Sequence, residues 1–143
     1  MRVFDGADDL RAAVGRHLGH SGWLTVDRAR VDRFTGATGG TGASGDGASG
    51  DGLAPGFLVL SLVNSFLPEV VDVRGFAMGV NYGADGVRFP APVPIGARLR
   101  GGVELAAVDD VRGGVQATWV VTVERDGSPE PACVVSSLAR YLV

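Results

Sequence analysis

The residues best suited to acid–base chemistry lie in a glycine-rich segment, residues 39–52, which contains Ala-Ser-Gly-Asp-Gly twice in tandem. Asp46 and Asp51 are the carboxylates there that could transfer a proton. The segment has no large apolar side chain, so ordering its backbone would cost about 1–2 kcal/mol per residue with little burial in return. We therefore predict a flexible loop over residues 39–52 that does not hold either carboxylate in a fixed geometry.

Other potentially reactive side chains are interpreted as structural. His17 and His20 are close in sequence, but a metal site needs three or four ligands, so we predict solvated residues at a helix end and no metal. Cys133 lies in an apolar run, which favours a buried packing thiol. Trp23 and Trp119 are predicted to be core aromatics.

The basic residues are all arginine, because the thirteen Lys and Arg residues include no lysine. This excludes a Schiff-base lysine and a phosphate-binding loop lysine. Arg88, Arg98 and Arg100 are predicted to pair with carboxylates at a sheet edge rather than to bind phosphates. The formal net charge of -3 gives no basic face for nucleic acid.

Length and composition predict one domain over residues 1–143, because the chain is too short for two ordinary domains and 45% of it is hydrophobic. A single cysteine cannot form an intramolecular disulfide, which favours a reducing compartment. The chain starts without the pattern of a signal peptide and has no apolar run near the ~20 residues needed to span a bilayer. We expect a cytoplasmic protein with no cofactor and no membrane partner.

Three helices are predicted in the first half of the chain. Apolar residues recur at helical spacing from Ala7 to Leu18, with Gly19 as the stop. A second helix, capped by Thr25 or Asp27 and ending near Gly36, would bury Val31 and Phe34 and leave Arg28, Arg30 and Arg33 in solvent. The segment from Gly56 to Val71 is apolar on nearly all sides, which predicts a buried central helix.

The second half carries β-branched and aromatic runs that predict strands over residues 73–82, 87–89, 97–108, 115–123 and 131–143. Glycine-rich or charged turns separate them at residues 83–86, 109–114 and 125–129. In the fourth run, alternate residues from Val115 to Val123 fall on one apolar face. Helices followed by an antiparallel meander predict an α+β domain in which the sheet wraps around the 56–71 helix.

Three stretches of this sequence resemble the MaoC-like hydratase/dehydratase family. They are residues 18–39, which contain Gly22-Trp23-Leu24-Thr25-Val26-Asp27, then residues 56–62, Gly-Phe-Leu-Val-Leu-Ser-Leu, and residues 81–101, which contain Arg88-Phe89-Pro90-Ala91-Pro92-Val93-Pro94. The resemblance implies a hot-dog fold and a lyase-type reaction, the hydration or dehydration of 2-enoyl or 3-hydroxyacyl thioesters of coenzyme A or an acyl carrier protein. It also implies a dimer with the pocket at the subunit interface.

The acid–base half of the family's site is absent from the corresponding positions. The family's Asp and His, five residues apart, fall on Gly40 and Gly45, neither of which can transfer a proton. The segment is shorter than in the family, and Pro55 replaces a common His before the Gly-Phe pair. Asp46 and Asp51 are the possible substitutes.

The substrate-binding half is retained at Gly56, Phe57, Ser61, Asn81 and Tyr82. The resemblance implies that the backbone N–H groups of Gly56 and Phe57 receive the thioester carbonyl, that Ser61 faces the pocket, and that Asn81 and Tyr82 lie on the opposite strand. A structural interpretation is equally open: Gly56 could cap the helix, Ser61 could hydrogen-bond within its own helix, and Tyr82 could be a strand aromatic.

Three functions are compatible with this pattern. The chain could be a hydratase or dehydratase that uses a replaced base or residues of a partner subunit. It could instead be a non-catalytic subunit that keeps the acyl pocket and pairs with an active hot-dog homologue. The third is recruitment to another acyl-thioester or polyketide transformation, in which the pocket mainly shapes the substrate and needs no strong base. A homodimer and a heterodimer are both compatible with the sequence.

Overall fold

The computed structural model of this chain describes residues 1–39 and 52–143. Before the gap, the elements are β1 Arg2–Asp5, α1 Ala7–Ala12, β2 His17–His20, β3 Leu24–Thr25 and α2 Arg28–Ala37. After it come α3 Gly56–Ser61, α4 Val63–Val70, β4 Val71–Arg74, β5 Met78–Arg88, β6 Arg98–Val111, β7 Gly114–Arg125 and β8 Cys133–Leu142.

The main sheet is antiparallel and follows the order β2-β6-β7-β8-β5, with the short β3 also pairing β6. Helix α4 packs on β6 and β2, and α3 packs on β8, so the sheet covers one side of both helices. A small parallel pair, β1 with β4, lies apart from this sheet. The predicted α+β class, with an antiparallel sheet around central helices, is confirmed.

The core forms where the alternating faces of the long strands meet the helices. Strand β7 buries every second side chain, as its period of two predicts. The residues buried on it are Val115, Ala117, Trp119, Val121 and Val123. Trp119 is fully buried against Phe4 and donates a hydrogen bond from its indole Nε1 to the Tyr141 hydroxyl at 3.2 Å.

The first predicted helix is wrong beyond Ala12. The chain leaves the helix at Ala13 and turns at Gly15, whose φ of 88° lies in the left-handed region. Residues 17–20 then form β2, which pairs with residues 102–104 of β6. A long-range sheet pairing has therefore overridden the local helical period, and His17 and His20 lie on a strand instead of a helix end.

Helix α2 agrees closely with its prediction. The Asp27 side chain accepts a hydrogen bond from the Arg30 backbone N–H at 2.8 Å and caps the helix. Val31 is buried and Phe34 packs on the core. Arg30 is partly buried, however, which corrects the expectation that its whole side chain lies in solvent.

The central helix predicted over residues 56–71 is two helices that meet at Leu62, and Val71 begins a strand. The Ser61 hydroxyl donates to the Leu58 carbonyl at 2.7 Å, and such back-bonding often bends a helix. Only one face is buried, which corrects the prediction of an all-round buried helix. Phe57 on the opposite face is 71% exposed.

Strand β5 runs through the turn predicted at residues 83–86. Its pairing with β8 shifts register between Asn81 and Gly83 and again between Asp85 and Arg88, so the glycines there accommodate bulges within one strand. The turns near residues 109–114 and 125–129 are confirmed, although β6 extends to Val111 before the chain reverses.

Trp23 is not a core aromatic, since 39% of it is exposed. The guanidinium groups of Arg98 and Arg100 lie 5.2 and 4.6 Å from its ring centroid. These arginines also pair with Asp126 and Glu124, as predicted, at 3.1 and 2.6 Å. In the part of the chain that the structure describes, no helix is long and apolar enough to cross a membrane.

Candidate functional site

An apolar cavity of about 420 Å³ opens at the first turn of α3. Gly56 and Phe57 form its helical side, and Phe89 lies across from them. The remaining lining is almost wholly aliphatic: Leu53, Ala54, Val59, Pro90, Ala91, Pro92, Val93 and Ala132. A cavity of this size and character suits an apolar group.

An aromatic pair forms the rim of this apolar cavity. The ring centroids of Phe57 and Phe89 are 6.4 Å apart in an edge-to-face arrangement, and both side chains are substantially exposed. A Cβ atom on Gly56 would lie 3.3 Å from Cζ of Phe89. The absence of a side chain at Gly56 therefore lets the Phe89 ring approach the first turn of the helix.

Backbone hydrogen bonds hold the wall of the apolar cavity in place. The Ala54 N–H donates to the Val93 carbonyl at 2.7 Å, and the Ile95 N–H donates to the Gly52 carbonyl at 2.7 Å. A guanidinium nitrogen of Arg125 donates to the Pro92 carbonyl at 2.5 Å. The approach to α3 is thus tied to the proline-rich segment that follows β5.

A second cavity, of about 340 Å³, lies further along the helices between α3, α4 and β5. It is more polar than the first, because several of its lining residues carry hydroxyl or amide groups. The lining residues are Ser61, Asn64, Asn81, Tyr82 and Ser137, interspersed with Leu60, Val63, Gly83, Ala84 and Val135.

Ser61 and Asn81 both line the polar cavity, but each already has a hydrogen-bond partner. The Ser61 hydroxyl donates to the Leu58 carbonyl, so its oxygen is left to accept. The Asn81 Nδ2 donates to Oδ1 of Asn64 at 3.3 Å. Asn64 was not among the predicted residues, although its position three residues after Ser61 is the spacing that brings two side chains to one side of a helix.

Tyr82 borders the polar cavity, but its ring lies against another group. The Arg140 guanidinium carbon is 3.5 Å from the Tyr82 ring centroid, and Arg140 Nε donates to Gln116 at 3.0 Å. Gln116 alternates with buried residues of β7, so this stack lies on the sheet face turned away from the helices. Asn81 and Tyr82 diverge because successive side chains of a strand point to opposite faces of the sheet.

The five predicted site residues therefore do not share one cavity. Gly56 and Phe57 line the apolar cavity, whereas Ser61, Asn81 and Tyr82 line the polar one. Their role in binding stays a prediction. The sequence resemblance predicts the family's proton-transfer positions at Gly40 and Gly45, with Asp46 and Asp51 as alternatives. These four residues and nearly all of the predicted flexible loop lie outside the described residues.

The remaining candidates fall outside both cavities. His17 and His20 stack with ring centroids 4.9 Å apart, and His20 Nε2 lies 3.6 Å from a Glu124 carboxylate oxygen. Within residues 1–39 and 52–143, no group of three His, Cys, Asp or Glu side chains is placed to hold a metal. Cys133 is buried, as predicted, and burial raises its pKa to about 11, so it is a neutral thiol at physiological pH.

Comparisons with known proteins agree with this architecture. No family model matches the chain. A curated relative, 3-hydroxyacyl-thioester dehydratase Z of Mycobacterium tuberculosis, is 40% identical over 150 aligned residues that cover 99% of each chain. Nodulation protein N of Rhizobium leguminosarum bv. viciae is 36% identical over 87% of this chain and 83% of its own length.

Solved structures share the fold at lower identity. The monoamine oxidase regulatory protein of Archaeoglobus fulgidus has a TM-score of 0.76 at 19% identity and covers 99% of this chain and 97% of its own. A MaoC-like dehydratase from Rhodospirillum rubrum has a TM-score of 0.69 at 18% identity, with 96% of both chains covered. The HadBC 3R-hydroxyacyl-ACP dehydratase complex of M. tuberculosis has a TM-score of 0.68 at 18% identity and covers 89% of this chain and 96% of that one.

An antiparallel sheet curved around central helices, matched by these structures along nearly the whole chain, defines a hot-dog protein. The 40% identity to a curated dehydratase over 99% of both chains narrows the class further. The chain belongs to the MaoC-like hydratase/dehydratase family.

Proposed function

We propose that this chain binds an acyl thioester, carried on coenzyme A or an acyl carrier protein, at the first turn of α3 and serves its hydration or dehydration. The observation that supports this most directly is that the apolar cavity ends at Gly56 and Phe57. The first amides of an α-helix have no partner within the helix, and they favour negative charge. They can therefore receive a thioester carbonyl and stabilise the oxyanion character that develops on it.

A second hot-dog chain completes the site in this proposal. Strand β5 is exposed along almost its whole length, and Phe57, Met78 and Tyr82 are each more than half exposed in the single chain. An uncovered strand edge beside apolar side chains needs a covering partner. The partner is either a second copy or a different hot-dog chain, and the similarity to one subunit fold of HadBC supports the second arrangement as well as the first.

Binding is tested by titration of butyryl-coenzyme A into the purified chain, since this saturated thioester cannot undergo hydration. We expect Gly56→Val to weaken binding by about tenfold or more, because a side chain at Gly56 would displace the Phe89 ring from the first turn. Gly36→Val on α2, where a Cβ would have nothing within 4 Å, is the matched control. Equal affinities for wild type and both variants would contradict the proposed site.

The next question is whether this chain is catalytic, and if so which residue supplies the general base. A catalytic chain would use Asp46 or Asp51, or a residue of the partner. We assay crotonyl-coenzyme A hydration by the loss of enoyl-thioester absorbance, with the double variant Asp46→Asn and Asp51→Asn beside wild type. Turnover that disappears in the double variant would assign the base to this segment.

The second candidate function is a substrate-binding subunit that pairs with an active homologue. It is supported by the sequence resemblance, which assigns the family's Asp and His positions to Gly40 and Gly45, two residues that cannot transfer a proton. We expect this chain alone to give no turnover above the uncatalysed rate, and co-expression with a hot-dog chain that carries an intact Asp and His to restore it. A clean homodimer that hydrates crotonyl-coenzyme A would eliminate this candidate.

A cytoplasmic location belongs to the same proposal, because coenzyme A and acyl carrier protein thioesters are made and consumed inside the cell. Fractionation of the native cells with detection by antibody tests it. Recovery of the protein in an exported fraction would contradict it.

A further inference from the structure

We infer that Asn64 and Asn81 select acyl thioesters whose acyl group carries a hydrogen-bonding substituent, such as a hydroxyl or a carboxamide, over thioesters with a plain alkyl tail. The inference rests on the proposed function, because it assigns the polar cavity to the acyl end of the same substrate.

The asparagine pair joins two elements across the polar cavity. Asn64 lies near the start of α4, and Asn81 lies on β5 directly opposite the buried Ala139 of β8. Asn81 therefore occupies the helix-facing side of the sheet, where its Nδ2 meets Oδ1 of Asn64 at 3.3 Å. The two elements meet at the cavity through these amides rather than through apolar side chains.

The pair retains hydrogen-bonding capacity beyond its own bond. With Asn81 Nδ2 donating to Asn64 Oδ1, the amino group of Asn64 can still donate and the carbonyl oxygen of Asn81 can still accept. Exchange of oxygen and nitrogen in both amides leaves the same inventory of one donor group and one acceptor. A hydroxyl or carboxamide, which both donates and accepts, matches this inventory.

The neighbouring side chains reinforce the polarity. The Ser61 oxygen can accept, because its hydroxyl hydrogen is directed to the Leu58 carbonyl. Ser137 pairs with the buried Trp119 in register, so it too lies on the helix-facing side of the sheet. The apolar cavity at Gly56 has no comparable set of amides and hydroxyls in its lining.

In the proposed dimer, a second hot-dog chain covers the two asparagines, and this makes their unused hydrogen-bonding groups selective for the ligand. Both asparagines are exposed in the single chain, where water can satisfy them. When a second chain covers β5 and the helices, water is excluded and the ligand must supply the missing partners. Sites that hydrogen-bond a substrate group discriminate strongly against an analogue that lacks it.

The position of the pair sets the length of a suitable probe. Asn64 follows Gly56 by eight residues across the junction of α3 and α4 at Leu62, which corresponds to at most about 12 Å at the helical rise of 1.5 Å per residue. An acyl chain of medium length held by its thioester carbonyl at Gly56 spans such a distance. We therefore choose octanoyl-coenzyme A and its ω-hydroxyoctanoyl counterpart.

The test is calorimetric titration of the two thioesters into the dimeric protein. We expect wild type to prefer the hydroxylated thioester by about tenfold. The double variant Asn64→Leu and Asn81→Val should lose this preference or reverse it. Ser65→Ala, an exposed neighbour on α4 outside the cavity lining, is the control and should keep the wild-type preference.

Sedimentation of each variant separates ligand selection from a role in assembly. A double variant that stays dimeric and switches preference supports the inference. Equal binding of the two thioesters by wild type overturns it and leaves the proposed function standing. A double variant that dissociates and weakens both ligands equally also overturns it, because the pair would then be an interface contact. If neither thioester binds wild type, both the inference and the proposed function fail.

Discussion

Strands β7 and β5 are both long, antiparallel and paired with β8, yet their environments are opposite. On β7, alternate side chains from Val115 to Val123 are fully or almost fully buried. On β5, nearly every residue is exposed, including Val80 and Tyr82. The difference lies in their neighbours: β7 lies between β6 and β8, whereas β5 is the last strand of the sheet in the described chain.

This contrast separates the half of the molecule that is buried within the chain from the half that carries the candidate site. Helices α3 and α4 pack on the β6–β7–β8 region and bury its inner face. The β5 side, with both cavities nearby, presents exposed aromatics and an uncovered edge. Substitutions in the first half should therefore change unfolding, and substitutions in the second should change assembly and binding.

The largest expected effect compares two aromatic truncations. Trp119→Ala on β7 removes a fully buried indole and should lower the free energy of unfolding by about 3–5 kcal/mol. Tyr82→Ala on β5 removes an exposed ring stacked on Arg140 and should cost less than about 1 kcal/mol. Urea denaturation of both variants measures the difference, and comparable losses would remove the distinction between the strands.

A smaller effect tests how closely the sheet approaches the helices. A Cβ on Gly101 would lie 2.7 Å from Cβ of Phe66, so Gly101→Ala should destabilise the fold by roughly 1–3 kcal/mol through overpacking. Gly102 faces the other side, where the atoms nearest to a Cβ would belong to the imidazole rings of His17 and His20, at 3.1–3.2 Å. Those rings can rotate, so Gly102→Ala should cost under about 1 kcal/mol. A larger loss at Gly102 would contradict the packing described.

The buried thiol of Cys133 is expected to make the stability of the fold depend on pH. Cys133 has a pKa raised by burial from 9.0 to about 11. Between these values the unfolded chain loses its thiol proton while the folded chain keeps it, so stability falls as the pH rises from 9 and levels off above 11. We expect wild type to lose roughly 1–2 kcal/mol more than Cys133→Ala over this interval in urea denaturation. Parallel pH profiles for the two proteins would show that the thiol is accessible to water.

The smallest effect concerns the cap of α2. Asp27→Ala removes the acceptor for the Arg30 N–H and should cost about 1 kcal/mol. Asp32→Ala on the exposed face of the same helix is the control and should stay within about 0.5 kcal/mol of wild type. Thermal unfolding of the two variants checks this prediction. Equal melting temperatures would mean that the cap contributes nothing measurable.

The sequence pattern predicted the local structure correctly wherever that structure depends only on residues close together in the chain. The alternation on β7 predicted its buried face, and Asp27 before an amphipathic run predicted the capped start of α2. The family resemblance likewise depended on short contiguous motifs, which is why it could be read from residues 56–62 and 81–101. The alternation of side chains along a strand and the cap of a helix are both defined by a few adjacent residues.

Tertiary structure decided what depends on distant pairing. The helical period predicts a helix that continues to Leu18, but hydrogen bonds to β6 make residues 17–20 a strand. The glycines at 83–86 resemble a turn, but pairing with β8 carries the strand through them. Alternation along β5 directs Asn81 toward the helices and Tyr82 toward Arg140. The predicted site residues are divided between two cavities, with Gly56 and Phe57 at one and Ser61, Asn81 and Tyr82 at the other. Sequence periodicity defines which face of a segment is apolar, whereas only the completed sheet determines which backbone it pairs with and where its polar side chains meet.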